Sequence, residues 1–303
     1  MQETKRPKLR RFETVNGYLF ISPWLIGFLL FTMAPMVASL YFAFTRYSIL
    51  SSPEWIGLGN FIEMFTNDER YLAAWKATLT FVFVAVPLRL IFALAVAVLL
   101  NTKLKFLGFF RATFYLPTLI GGSVAVAIMW RQLFGMEGAF NSILSSLFGI
   151  NNPISWITHP STAMWSLILL SVWQFGSAML IFLAGLKQVP ISLYEAADID
   201  GAGRWLKFRK ITLPLLSPVL LFNLIMGIIS GFKVFTEGLI VTGGGPFDKT
   251  LFYVLYLYEK SFKYYEMGYG SAMAWMLLIA TGILTAIVFL TSRNWVFYES
   301  GRK

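Results

Sequence analysis

The 303-residue chain has no cysteine and a single histidine, His159. Without thiols there is no disulfide, no thiolate metal site and no cysteine nucleophile, and one imidazole leaves no His pair for zinc. Charge is scarce too. Asp, Glu, Lys and Arg make up 13% of the residues against 57% hydrophobic, and the mean hydropathy is +0.67. A soluble domain carries about 25% charged residues, so the composition excludes one. Aromatic side chains are abundant, with 29 Phe, 13 Tyr and 10 Trp; such rings settle at the membrane–water boundary.

A helix needs about 20 mostly apolar residues to cross a bilayer. Six segments qualify, near 18–44, 77–100, 107–130, 162–186, 214–236 and 268–292. The expected fold class is therefore an all-α membrane protein of six transmembrane helices. The apolar run after the basic amino terminus ends without a small-residue cleavage site, so it reads as a first span and not as a leader. Pro35, Pro87, Pro117 and Pro218 interrupt the spans and Gly121-Gly122 loosens the third. Neighbouring helices satisfy the backbone groups that such residues free.

Basic residues set the direction. Lys5, Arg6, Lys8, Arg10 and Arg11 precede span one; Lys103, Lys105 and Arg111 join spans two and three. Lys187, Arg204, Lys207, Arg209 and Lys210 join spans four and five; Arg293, Arg302 and Lys303 follow span six. These are sixteen of the 25 basic residues, all on one side if the spans alternate. Both termini are then cytoplasmic. The expected organisation is a cytoplasmic tail over 1–16, a six-span body over 17–293 and a second tail over 294–303. The net charge of +10 is a topology signal, and no nucleic-acid partner is implied. On the outer side, 55–65 and 139–149 read as short amphipathic helices, and 251–270 as one interfacial helix.

Between spans four and five, over 187–214, lies a charged, glycine-centred segment that includes EAADIDGAGRWLKFRKITLP. Ser192 with Glu195 has the spacing of a capping box, Ala196 and Ala197 let another surface approach closely, and Asp200-Gly201 supplies a turn. Arg204, Lys207, Arg209 and Lys210 suit anionic lipid head groups, and Pro214 suits the first turn of span five. A short helix projecting from the membrane is a lever for a soluble partner.

Glu195, Ala196, Ala197, Asp200, Gly201, Ala202, Phe208, Ile211, Leu213 and Pro214 match all ten defining positions of the signature loop of the membrane subunits of binding-protein-dependent ABC importers. The chain resembles the sugar permeases of the maltose and glycerol-phosphate type over nearly its whole length. Gly57-Leu58-Gly59-Asn60-Phe61 resembles that subgroup's first outer loop, and Thr242-Gly243-Gly244-Gly245-Pro246 with Thr250 resembles its element after span five. The resemblance implies a type I importer permease in a bacterial or archaeal cell membrane. It implies a second homologous permease, a cytoplasmic ATPase dimer and an extracytoplasmic solute-binding protein as partners, and a sugar as cargo. It implies that Glu195, Ala196, Ala197, Asp200, Gly201 and Ala202 couple to the ATPase, and that Gly243, Gly244, Gly245 and Pro246 lie near the binding protein. No cofactor is expected on this chain, since ATP and Mg²⁺ would sit on the ATPase. No metal ligand and no catalytic residue is expected. The large outer domain of the maltose permease is lacking, so its contacts are not carried over.

Within the spans, Trp173 and Gln174 offer an aromatic face and an amide, Asn223 a second amide, and Lys233 and Glu237 charges four residues apart on one helical face. This set suits a sugar, whose C–H faces are apolar and whose hydroxyls need partners. Lys233 points to an oligosaccharide bearing carboxylates; mutual pairing of Lys233 with Glu237 is the plainer reading. A non-sugar solute such as glycerol-phosphate is the alternative cargo.

Other motifs lead nowhere. GGGPFDKT over 243–250 imitates a phosphate loop but has Asp248 where the second glycine is required. Asp198-Ile199-Asp200 resembles the metal site of a membrane transferase but lacks further spaced aspartates. A secondary transporter would show paired halves with ion-coupling groups, and only Arg89, Lys233 and Glu237 are ionisable near membrane depth. His159 reads as a surface residue, and Gly227 with Gly231 as a helix-packing pair; room for a sugar is the alternative reading of the two glycines.

Overall fold

A computed structural model describes residues 6–102, 105–149 and 153–297, with side chains from residue 16. Expectations attached to Lys5, Lys103, Arg302 and Lys303 lie outside the described residues. Three helices are each long and apolar enough to cross a membrane, and three bent helix pairs qualify together, giving up to six crossings. The chain divides into two compact units: residues up to Glu63 with Lys260–Trp275, and Met64–Glu259 with residues from Met276 on.

The first unit holds α1, whose apolar length is Asn16–Ala43. Pro35 has no N–H for the helical ladder and its ring crowds the preceding turn. The helix answers by widening over Leu29–Met33, where the Ala34 N–H reaches back to the Leu29 carbonyl. The apolar window of α1 is not buried within the chain, so it presents that surface to lipid or to another chain. Strands β1 (Thr45–Ser48) and β2 (Ser51–Trp55) follow, antiparallel, with Thr45 opposite Trp55. This hairpin corrects the all-helical expectation in a small way. Helix α2 (Gly59–Thr66) begins later than the expected 55–65 because β2 runs to Trp55 and Gly57 turns at φ +59°. Asn60 is buried and donates to the carbonyls of Ala43 (2.8 Å) and Thr45 (3.0 Å), tying α2 to the end of α1.

The second unit is built around α3 (Glu69–Leu100), which starts earlier than the expected residue 77 because Asp68 caps it by accepting from the Tyr71 N–H. Pro87 lies inside α3 without breaking it. Val82, Val86, Leu90, Ala93 and Ala97 of α3 form one core with Met179, Phe182 and Leu186, and with Leu216, Ile228 and Phe232. The third span is sharply broken: α4 (Leu107–Ile120) and α5 (Val124–Leu133) meet at 98°. The break falls at Gly121-Gly122, and Ser123 restarts the helix by accepting from the Val126 N–H. Helix α6 (Ala139–Phe148) takes the place expected for the outer helix over 139–149.

The fourth span is α7 (Ala163–Trp173) and α8 (Gly176–Leu186), bent by 43°. Gln174 stands at the bend, and its carbonyl accepts from Thr118 Oγ1 at 3.2 Å. Gly121 and Gly176 permit this crossing: a Cβ on Gly121 would lie 2.5 Å from the Gln174 side chain, and one on Gly176 2.7 Å from the Phe114 carbonyl. Helix α9 (Ile191–Ile199) then precedes the fifth span, α10 (Arg204–Leu215) and α11 (Ser217–Phe232), bent by 64°. Pro214 therefore lies inside the first half of that span, and Pro218 occupies the first turn of α11, where its missing N–H costs nothing. The chain leaves α11 at Phe232, makes a short π-helical turn over Gly238–Thr242 and reaches α12 (Tyr253–Tyr258) through a glycine-rich loop. The single helix expected over 251–270 is not formed. Tyr265 has φ +62°, which no helix accommodates, and α13 (Met267–Ser292) starts just after it.

Candidate functional site

A cavity of about 250 Å³ opens among α3, α7 and α11, lined by Arg89, Ser171, Gln174, Ser230 and Glu237 with an apolar floor of Phe81, Val86 and Leu167. A second, of about 300 Å³, shares Val86, Arg89, Gly227 and Ser230 and adds Asn223, Ser177 and Phe222. The two meet at these four shared residues as one passage, with polar groups set along a largely apolar wall. Two buried donors here have no hydrogen-bond partner, Arg89 Nε and Gln174 Nε2. An orphaned buried donor costs about 1–3 kcal/mol, so both are suited to an acceptor-bearing ligand.

Of the sequence-expected path residues, Gln174, Asn223 and Glu237 line this passage; Trp173 and Lys233 do not. Trp173 packs its ring on Trp130, 5.8 Å between centroids. Lys233 caps the end of α11 and is exposed. The helix stops there, so Lys233 and Glu237 do not share a helical face, and no ion pair joins them among the described residues. Glu237 instead faces the Arg89 charge across the cavity. Arg89 was visible in the sequence as an ionisable group at membrane depth, but Gln174 and Glu237, which line the cavity with it, are about 85 and 150 residues away in the chain, beyond what local periodicity reaches. Gly227 and Gly231 pack closely on α3, where added Cβ atoms would lie 2.7 Å from Val86 and 3.0 Å from Val82, and both line the cavity.

The loop after α11 is a built structure. Gly243 and Gly244 take φ of +63° and +85°, which only glycine adopts without strain. Buried Thr250 donates to the Gly245 carbonyl at 2.6 Å, and its hydroxyl lies 2.7 Å from that of Thr242. Arg70 grips the loop, donating from Nε and Nη2 to the two oxygens of Asp248 at 3.0 and 3.1 Å, and pairing with Glu259 at 3.2 Å. Its guanidinium also sits 5.0 Å over the Tyr256 ring, whose hydroxyl donates to Asp68 at 2.6 Å. Asp248 thus serves a cation, in keeping with its unfitness for a phosphate loop. His159 is exposed and its Nδ1 lies 2.8 Å from Ser161 Oγ.

The segment between spans four and five is a helix, a turn and a helix. Helix α9 starts two residues earlier than a Ser192 cap would place it. Pro190, extended at ψ 129°, precedes it, and Ser192 lies inside with no side-chain capping bond. Its other end closes as a Schellman motif: the Ala202 N–H reaches the Ala197 carbonyl at 2.8 Å and the Gly201 N–H that of Asp198 at 3.1 Å, with Gly201 at φ +73°. This explains the residue types: glycine for the left-handed turn, and two alanines where the motif brings its apolar flanks together. Lys207 folds back to Asp198 at 2.6 Å and is not free for head groups; Arg204, Arg209 and Lys210 are exposed. The Tyr194 and Thr212 hydroxyls lie 2.8 Å apart, joining α9 to the end of α10. Glu195, Ala196, Asp200 and Gly201 are exposed, and Ile199 and Trp205 stand 88% and 72% exposed beside them, an apolar surface on a polar segment.

The family model described as "binding-protein-dependent transport system inner membrane component" matches residues 56–296. The chain belongs to this family. It is 54% identical over 298 residues to the probable ABC transporter permease protein YesP of Bacillus subtilis (strain 168), covering 98% of this chain and 96% of that one. It is 34% identical over 295 residues to the trehalose/maltose transport system permease protein MalF of Thermococcus litoralis, covering 96% and 97%. The fold matches that of a bacterial ABC transporter involved in the import of the acidic polysaccharide alginate, with a TM-score of 0.79 over 94% of this chain and 99% of that chain at 22% identity. As in the rest of this family, the chain is a multi-pass membrane protein, and the relatives are permease subunits and not enzymes.

Proposed function

We propose that this chain is one of two permease subunits of an ATP-driven importer, and that it forms the passage for an oligosaccharide handed over by an extracytoplasmic solute-binding protein. The single observation that carries this reading is the passage with its two orphaned donors, Arg89 Nε and Gln174 Nε2. Sugar hydroxyls donate and accept at once, so they satisfy these donors together with the Glu237 carboxylate and the Ser171 and Ser230 hydroxyls. Arabinooligosaccharides and trehalose or maltose are named as the cargo of two relatives, which supports the class of solute. Glu195 to Ala202 forms the contact with a cytoplasmic ATPase dimer, which binds ATP and Mg²⁺. Motion of that dimer reaches span five through the Tyr194–Thr212 link. Both termini are cytoplasmic, and Gly243 to Pro246 faces the binding protein.

The test is solute uptake by cells with and without this chain, using a panel of oligosaccharides and glycerol 3-phosphate, before and after depletion of cellular ATP. ATP-dependent uptake of an oligosaccharide that vanishes with the chain, and falls on Gln174→Ala, supports the proposal. Uptake of glycerol 3-phosphate alone, or uptake that persists without ATP on an ion gradient, contradicts it.

A further inference from the structure

The passage does not stand alone. A separate pocket of about 340 Å³ lies along the same two helices, lined by Lys76, Thr80 and Met164 and by Phe247 and Lys249 of the loop that Arg70 grips. On α7, Met164 belongs to this pocket while Leu167, Ser171 and Gln174 belong to the passage. Spacings of three, four and three put all four on one helical face. On α3, Thr80 belongs to the pocket and Phe81 to the passage. The pocket, a vestibule beside the passage, shares one track of α7 with it. Lys76 and Arg89, thirteen residues apart on α3, are about 20 Å apart along its axis.

The charges along this track do not balance. Asp248 lines the vestibule but is held by both of its oxygens on Arg70. Among the described residues Lys76, Lys249 and Arg89 have no carboxylate within ion-pairing distance; Glu237 lines the passage with Arg89 and not the vestibule. Phe247 completes the vestibule. It is 87% exposed, and it and Asp248 hold φ of +50° and +55°, a conformation that costs a non-glycine residue energy and persists only where the surroundings impose it. Arg70 holds the neighbouring Asp248 by both carboxylate oxygens, and Phe247 lines the same vestibule as Lys76 and Lys249.

We propose that this vestibule and Arg89 form a two-station track for an anionic sugar, specifically an oligosaccharide of uronate residues. Phe247 stacks on a pyranose C–H face while Lys76 and Lys249 meet its carboxylates. Arg89 then takes a carboxylate in the fork geometry for which a guanidinium is suited, using the Nε donor now without a partner. Cations spread along the track match single charges repeated along a chain of uronates; one dianionic phosphate would call for cations gathered at one point. The inference rests on the permease reading above and names the cargo class for the same passage.

The purified assembly of both permeases and the ATPase, without the binding protein, is titrated by saturation-transfer NMR with three probes: trigalacturonate, the same trisaccharide with its carboxyls reduced, and glucose 6-phosphate. Trigalacturonate is expected to bind about tenfold or more tightly than the reduced probe, the worth of one charge-assisted contact. Arg89→Gln is expected to abolish that preference and Arg89→Lys to keep part of it. Lys76→Gln with Lys249→Gln is expected to weaken the preference and flatten its salt dependence. Equal binding of the acidic and reduced probes, a preference for the phosphate, or binding of none overturns the inference. Co-purification of the ATPase with each variant identifies any that fails to assemble, and Arg89→Lys keeps the test open if Arg89→Gln does. ATP-driven oligosaccharide import is measured alongside. Import retained without an acidic preference fails this inference alone, and no oligosaccharide import at all fails the permease reading.

Discussion

The hydroxyls of Tyr194 and Thr212 lie 2.8 Å apart, and they join the exposed helix α9 to the end of α10, the first half of the fifth span. Thr212 is buried, and the π-turn Phe208–Thr212 that ends on it leads directly into Pro214 and the 64° bend of that span. A displacement of α9 therefore acts on the point where the span is already broken. Tyr194→Phe and Thr212→Val each remove this bond while keeping shape. Each is expected to lower the ratio of solute imported to ATP hydrolysed by about threefold to tenfold, in line with the net worth of one hydrogen bond of about 1 kcal/mol. The double variant should be no worse than either single one, because both remove the same bond. Import stoichiometry in proteoliposomes measures it.

Gly201 carries the left-handed turn of the Schellman motif, and open space surrounds its Cα. Substitution there is therefore a matter of backbone strain and not of collision. Gly201→Ala is expected to destabilise the turn by about 1–2 kcal/mol and Gly201→Asn by less, since Asn tolerates this conformation. Gly201→Pro, which cannot take positive φ and lacks the N–H that reaches Asp198, should abolish coupling, as should Glu195→Lys. The ranking Asn, Ala, Pro in loss of solute-stimulated ATP hydrolysis checks this. Equal losses for all three would mean that the side chain and not the turn matters.

Arg70 and Asp248 are joined by two hydrogen bonds, and Arg70 also pairs with Glu259. Both partners of the bidentate pair are partly exposed, so the expected effect is on loop order more than on global stability. Arg70→Met should make the loop around Phe247 open to limited proteolysis and slow import. Asp248→Asn should do the same to a lesser extent, because Glu259 remains. A non-additive double variant identifies the pair as the cause.

Asn60 donates to the carbonyls of both Ala43 and Thr45 from a buried position. Asn60→Ala leaves two main-chain acceptors without that donor at the end of α1. A loss of about 1–3 kcal/mol is expected, seen as a lower Tm of the purified assembly, with ATP hydrolysis per folded complex unchanged.

The helix and turn over Ile191–Ala202 were legible in the sequence because their determinants are local. A left-handed glycine, small residues at the motif's flanks and a helix of nine residues all follow from neighbours within six positions. The start of the helix was misread at Ser192 because Pro190 sets the entry by its own backbone conformation. The spans were legible from apolar length, and their bends only in part. Gly121-Gly122 reads as a loose point, but a 98° break also needs Gln174 and Gly176 of another span to fill the corner. The hairpin Thr45–Ser48 with Ser51–Trp55 escaped notice because four- and five-residue strands carry little periodic signal. Lys233 and Glu237 read as one helical face because nothing local announces that α11 ends at Phe232. Arg89 gains its meaning from Gln174 and Glu237, which only folding brings near.

Sidedness is open to direct chemical test, since the chain has no cysteine of its own. Asn67→Cys and Lys249→Cys should react with an impermeant thiol reagent in intact cells, and Arg209→Cys only after the membrane is opened. All three positions are exposed, so failure to react reports location and not burial. The reverse pattern, or reaction at all three in intact cells, would place α9 on the wrong side for an ATPase.

The most direct measurement of the central claim is oligosaccharide import into proteoliposomes holding the whole assembly, with ATP sealed on the side of α9 and no ion gradient. Import should require ATP and the binding protein, stop in Glu195→Lys and Gly201→Pro while the ATPase still hydrolyses ATP, and slow in Gln174→Ala with coupling intact. Import that proceeds without ATP, or that is unchanged when Glu195 and Gly201 are replaced, would contradict the account.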